Sequence, residues 1–76
     1  MEHSKNITEL CQKFINKKLG IIELQSRLET AIFPDDLAEF RHQILNDLEE
    51  VRFTKLEDNY YDYGLNIVNK LLQKLD

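Results

Sequence analysis

Apolar residues recur along this chain at the three-and-four spacing of a helical face, and they do so in four separate series. That pattern limits the fold more than any other feature of the sequence. The first series is Ile7, Leu10, Cys11, Phe14 and Ile15, with Leu19 at its margin. It predicts a helix from about Asn6 to Lys18, with Lys17 and Lys18 at the end where the macrodipole favours cations. Gly20 breaks the chain. It can act as the N-cap of a second helix, with Glu23 at the third helical position and Leu19 packed on Leu24 as a hydrophobic staple. Ile21, Leu24, Leu28 and either Ala31 or Ile32 form the second stripe.

Pro34 is expected to end helix 2, because the residue before a proline is pushed out of the α region. It also suits the first turn of helix 3, with Asp35, Asp36 and Glu39 at the positive end of the dipole. Leu37, Phe40, Ile44, Leu48 and Val51 carry the third series, with Leu45 and Leu56 close to its face, so helix 3 is expected from about Pro34 to Lys55. After "EDNYYDYG", read as a joint, Leu65, Val68, Leu71, Leu72 and Leu75, flanked by Ile67, give helix 4. Four amphipathic helices with short joints predict an all-α fold, a small antiparallel four-helix bundle occupying 1–76 as a single domain.

A chain of 76 residues buries only about 60% of its unfolded surface, which leaves little room for a catalytic cleft. The residues point the same way. His42 lies roughly 200° around the helix from Phe40, facing solvent, and "RHQIL" lacks the glycine that a phosphoryl-relay histidine needs beside it. His42 with Glu39 or Asp35 has helical spacing for a metal, but acids beside a surface histidine are common by chance. His3 falls at the terminus. No Ser/His/Asp grouping or glycine-rich phosphate loop occurs. Cys11, the lone cysteine, allows neither an internal disulfide nor a cysteine-based metal site, and its apolar face predicts an unreactive core thiol. The expectation is a non-enzyme with no cofactor and no metal. No apolar run approaches the roughly 18 residues of a membrane span, and "MEHSKNITEL" lacks a signal-peptide core, so a cytoplasmic protein with no membrane partner is expected.

Charge is distributed unevenly. Residues 1–34 balance to +1 and residues 63–76 to +1, whereas residues 35–62 hold nine carboxylates against Arg41, Arg52 and Lys55, a balance of −6. Such a surface repels nucleic acid and anionic lipid and steers basic proteins toward itself, although a solvated face that keeps the chain soluble has the same composition. Within it, Tyr60, Tyr61 and Tyr63 surround Asp62 and follow Glu57 and Asp58. One or two tyrosines can cover the end of a core with their hydroxyls in water. Three within four positions exceed that need, and tyrosine is enriched at binding surfaces, so partner contact is the preferred reading.

The order of these features resembles the colicin D immunity protein family. "ITELCQKFINKKLGIIELQSRLE" is similar to that family's opening, "QILNDLEEV" to its third helix and "YGLNIVNKLLQKL" to its C-terminal helix. The joint between the last two helices is several residues shorter here than in the family, where it contributes to toxin contact. The resemblance implies an immunity protein, monomeric until it forms a 1:1 heterodimer with the basic nuclease domain of its cognate toxin, in that family a tRNA-cleaving one. It implies that Glu57, Asp58 and Asp62 take phosphate positions in the basic cleft, that Tyr60, Tyr61 and Tyr63 seal the rim, and that Glu49 and Glu50 extend the patch. Two rivals share the composition: a small acidic regulatory adaptor or antitoxin that binds a DNA-binding protein, and a structural subunit held by its apolar faces.

Overall fold

The computed structural model describes residues 2–75, with side chains from Lys5 onward, so the His3 side chain lies outside the described residues. Four α-helices follow one another, α1 (Glu2–Ile15), α2 (Ile21–Thr30), α3 (Ala38–Thr54) and α4 (Tyr60–Leu75), and among the described residues there is no strand. Short 3-10 turns, Asp35–Leu37 and Glu57–Asn59, lead into α3 and α4. The fold is all-α. Helices adjacent in sequence pack on each other, α1 closes against α4, and α2 also reaches α4.

One core joins the four helices. Ile7, Leu10, Cys11 and Phe14 come from α1, Ile21, Leu24 and Leu28 from α2, Ile44, Leu48 and Val51 from α3, and Ile67, Val68 and Leu71 from α4, with Leu19 from the first joint. The three-and-four periodicity therefore marks the buried stripes of the first three helices, except that in the third series Leu37 lies in the 3-10 turn before α3 and it and Phe40 are only half-buried. On α4 the stripe is rotated: Gly64, Ile67, Val68 and Leu71 are buried, and Leu65 is only half-buried. Gly64 explains the rotation. A Cβ at that position would stand 2.5 Å from the Cζ atom of Phe14, so the absent side chain admits the phenyl ring of α1 against the α4 backbone.

Helix boundaries depart from the periodicity where backbone hydrogen bonding decides them. Helix α1 stops at Ile15, short of Lys18, because Lys17 adopts the left-handed conformation with φ 62°. Its N–H donates to the Phe14 carbonyl (3.0 Å) and that of Lys18 to the Lys13 carbonyl (2.8 Å), the paired bonds of a Schellman ending. Gly20 is the N-cap of α2 as expected, with extended φ −81° and ψ 170°. Helix α2 then ends at Thr30, four residues before Pro34, with Ala31 already extended. The extended segment alternates sides: Ala31 and Phe33 pack on the core and Ile32 is 63% exposed, so Ala31 is the residue that continues the stripe. Nor does Pro34 begin α3; it precedes the 3-10 turn, whose Leu37 N–H returns to the Pro34 carbonyl (2.9 Å). Leu56 departs from its expected place near the core face. It lies beyond the end of α3 in extended backbone and is 74% exposed.

Candidate functional site

The stretch from Glu57 to Gly64 is a joint only as far as Asn59. Glu57, Asp58 and Asn59 form a single 3-10 turn, and Tyr60 through Gly64 are already the opening of α4. Carboxylates gather here for a local reason: Glu57 and Asp58 open the turn and Asp62 lies in the first turn of α4, where exposed N–H groups favour negative charge.

The tyrosines divide by role. Tyr60 and Tyr61 are half-buried against the core, and their hydroxyls reach backbone rather than water. Tyr60 donates to the carbonyl of Arg52 (2.8 Å) and Tyr61 to the carbonyl of Ile15 (2.6 Å). Both acceptors lie in the last turn of a helix, of α3 and of α1, where carbonyls have no partner within the helix. Each tyrosine thus caps the C-terminus of a different helix. Tyr61 also stacks on Phe14, ring centroids 5.4 Å apart and planes 20° apart, with the Lys17 ammonium 4.8 Å from the centroid of the Tyr61 ring. Tyr63 differs: it is 39% exposed, and its ring lies 4.8 Å from the Lys55 ammonium.

Residues contiguous in sequence consequently face different grooves. Glu57, Tyr60 and Tyr61 border a shallow groove of about 480 Å³ at the α1–α2 turn, together with Lys17 and Lys18. Tyr63 borders a second, of about 270 Å³, between α3 and α4 with Asp47, Glu50, Lys55 and Lys70. Asp58 and Asp62 are exposed and line neither. Glu49 and Glu50 are exposed on α3.

The cations among these acids are turned elsewhere. Arg41 donates to the carbonyl of Glu29, Arg52 donates to the Gln25 side-chain oxygen (2.7 Å), and Lys55 lies over Tyr63. Among the described residues the one ion pair is Arg27 with Glu23 (2.9 Å), outside the acidic segment. All nine carboxylates of residues 35–62 are therefore without an ion-pair partner among the described residues.

His42 is exposed, and among the described residues no group of three His, Cys, Asp or Glu side chains is placed to hold a metal ion. Cys11 is fully buried, and burial pushes its thiol up to about 12. Among the described residues no helix is long and apolar enough to cross a membrane.

One exposed aromatic escaped the sequence reading. Phe53 is 76% exposed on α3 and belongs to none of the apolar series. The signal was present: Phe53 lies roughly 200° around the helix from Val51, so a core-facing Val51 turns Phe53 outward. Comparison of the chain with family models, curated proteins and solved structures finds no match.

Proposed function

We propose that this chain is an immunity protein: an antiparallel four-helix bundle, not an enzyme, that binds the basic active-site face of a cognate bacterial nuclease toxin in a 1:1 complex and blocks it. The observation that carries the reading is the set of nine carboxylates in residues 35–62 with no ion-pair partner among the described residues. A chain selected only for folding and solubility gains by interspersing its charges, since like charges on one segment repel. Here the three cations of that segment serve carbonyl, amide and ring instead. The negative surface left over matches a basic cleft built for phosphates, and such complementarity both accelerates encounter and selects the partner.

Within this reading Glu57, Asp58 and Asp62 meet the cleft, with Glu49 and Glu50 extending the contact along α3. Tyr63 is the tyrosine best exposed for the rim. Tyr60 and Tyr61 act from beneath, holding the ends of α3 and α1 under the acidic turn.

The test is protection. The adjoining reading frames are searched for a toxin, the chain is produced in a bacterial host with the nuclease domain so found, and survival and intact tRNA are scored. Wild type should protect. The triple variant Glu57→Lys, Asp58→Lys, Asp62→Lys should not, because like charges placed face to face cost several kcal/mol. Helical circular dichroism of the variant controls for folding. A triple variant that protects like wild type removes this acidic turn from the inhibitory surface.

A further inference from the structure

Two of the most exposed large apolar side chains lie three residues apart across the end of α3, Phe53 at 76% and Leu56 at 74% exposure. Carboxylates outnumber cations around them, since Arg52 is fixed on Gln25 and Lys55 lies over the Tyr63 ring. Glu49 and Glu50 precede Phe53 by four and three residues and so share its exposed helical face, and Leu56 runs directly into Glu57 and Asp58. We infer that Phe53 and Leu56 form the apolar centre of the partner-binding surface, seated in an apolar depression on a basic protein while the four carboxylates around them meet its cations. The inference rests on the proposed inhibition of a basic nuclease and names the anchor of that contact.

Charge decides among possible occupants. A second copy of this chain would bring the same four carboxylates against one another, and an anionic bilayer would be repelled by them; a basic protein surface is attracted. An apolar centre inside a polar rim is also how protein interfaces are built, with aromatic residues enriched in the centre. The backbone beneath the pair is held on both sides. The Lys55 N–H bonds to the Val51 carbonyl (3.0 Å), the Asn59 N–H to the Leu56 carbonyl (2.9 Å), and the Tyr60 hydroxyl to the Arg52 carbonyl (2.8 Å). Arg52 lies 6.0 Å from the Phe53 ring centroid and is itself fixed on Gln25. Little ordering is therefore left for the moment of binding, which favours affinity.

Association and dissociation rates are measured between the purified chain and the catalytically inactivated nuclease domain of the protection assay. Phe53→Ser with Leu56→Ser should leave the melting temperature unchanged, since neither side chain is buried, and should raise the dissociation rate on the order of 30-fold, the equivalent of a hot-spot truncation. Phe53→Leu alone, which keeps apolar area, should retain most of the affinity. If the serine pair dissociates like wild type while the triple lysine variant fails to bind, the anchor is refuted and nuclease inhibition stands. If wild-type chain does not bind the domain, the proposed function falls and the anchor with it. Sedimentation showing a dimer of the chain that the serine pair abolishes would assign the patch to self-association and overturn the inference.

Discussion

Gly64 and Phe14 are the residue pair on which the packing of α1 against α4 turns. A Cβ at 64 would meet Phe14 at 2.5, 3.0 and 3.4 Å, and that ring is buried and stacked on Tyr61, from the same helix as Gly64. Gly64→Ala gains about 1 kcal/mol of helix propensity but overpacks the core, which costs about 1 to 3 kcal/mol, so a net loss of about 1 kcal/mol is expected. Denaturant unfolding of Gly64→Ala alone and with Phe14→Leu checks it: if the glycine is there for the ring, the alanine costs less beside the smaller side chain. Cys11 makes the second prediction. Its thiol is pushed up to about 12 from 9.0 by burial, so the folded chain holds this proton more tightly than the unfolded chain. The contribution is fully present below about pH 9 and is lost as pH rises toward about 12. Melting temperature should therefore fall between those values more steeply for wild type than for Cys11→Ala, which removes this titration and leaves those of tyrosine and lysine. A thiol reagent at neutral pH should label native protein slowly and unfolded protein fast. That Cys11 is buried was legible from its place among Ile7, Phe14 and Ile15. The need for Gly64 was not, because only a partner brought from 50 positions away gives that glycine its reason.

At the scale of the helix, periodicity marked which elements exist, and capping decided where they end. Gly20 announced the start of α2 because an N-cap is a local device visible in one residue. The end of α1 gave no such sign: a left-handed residue at that position is most often glycine, and here it is Lys17, whose ammonium then lies over Tyr61. Pro34 marks an end for α2 by a steric rule that constrains only Phe33, whereas the chain becomes extended at Ala31 and packs Ala31 and Phe33 on the core. The tyrosine stretch has the polarity of a joint, which hides the caps it makes on two other helices that only the fold brings to it. Gly20 also yields a prediction. Its φ of −81° is open to any residue, nothing lies within 4 Å of where a Cβ would stand, and no side chain caps the N-terminal N–H groups of α2. Gly20→Asp supplies an acceptor to those groups and narrows the unfolded ensemble, so it should stabilise the chain by about 0.5 to 1 kcal/mol. Thermal unfolding measures it, and a melting temperature at or below wild type would show that α2 gains nothing from a cap.

For the whole molecule, the sum of the charges was readable in the sequence and their disposition was not. The composition gave no sign that Arg41, Arg52 and Lys55 would turn to a carbonyl, an amide and a ring, leaving the carboxylates around them without ion-pair partners among the described residues. Nor did it show that Glu57 would share a groove with Lys17 and Lys18 while Tyr63 faced another, since adjacent residues on a helix point to different sides. The acids differ in what they do for folding. Asp62 lies in the first turn of α4 and is favoured by the dipole there, so replacing it tests stability and binding together. Glu49 and Glu50 stand toward the C-terminal end of α3, in no ion pair among the described residues, where the dipole and the neighbouring acids both oppose negative charge. Folding alone would prefer lysine at these two positions. Glu49→Lys with Glu50→Lys should therefore leave stability unchanged or raise it by about 0.5 kcal/mol, the size of ordinary surface effects. Raising the salt concentration should increase the melting temperature of wild type more than that of the variant, because salt screens a repulsion the variant has already relieved. If these acids face a basic nuclease, the same variant should associate with it more slowly and protect tRNA less. A variant that loses stability, or one that gains stability and protects as well as wild type, would show that Glu49 and Glu50 are ordinary solvated acids rather than a surface kept for a partner.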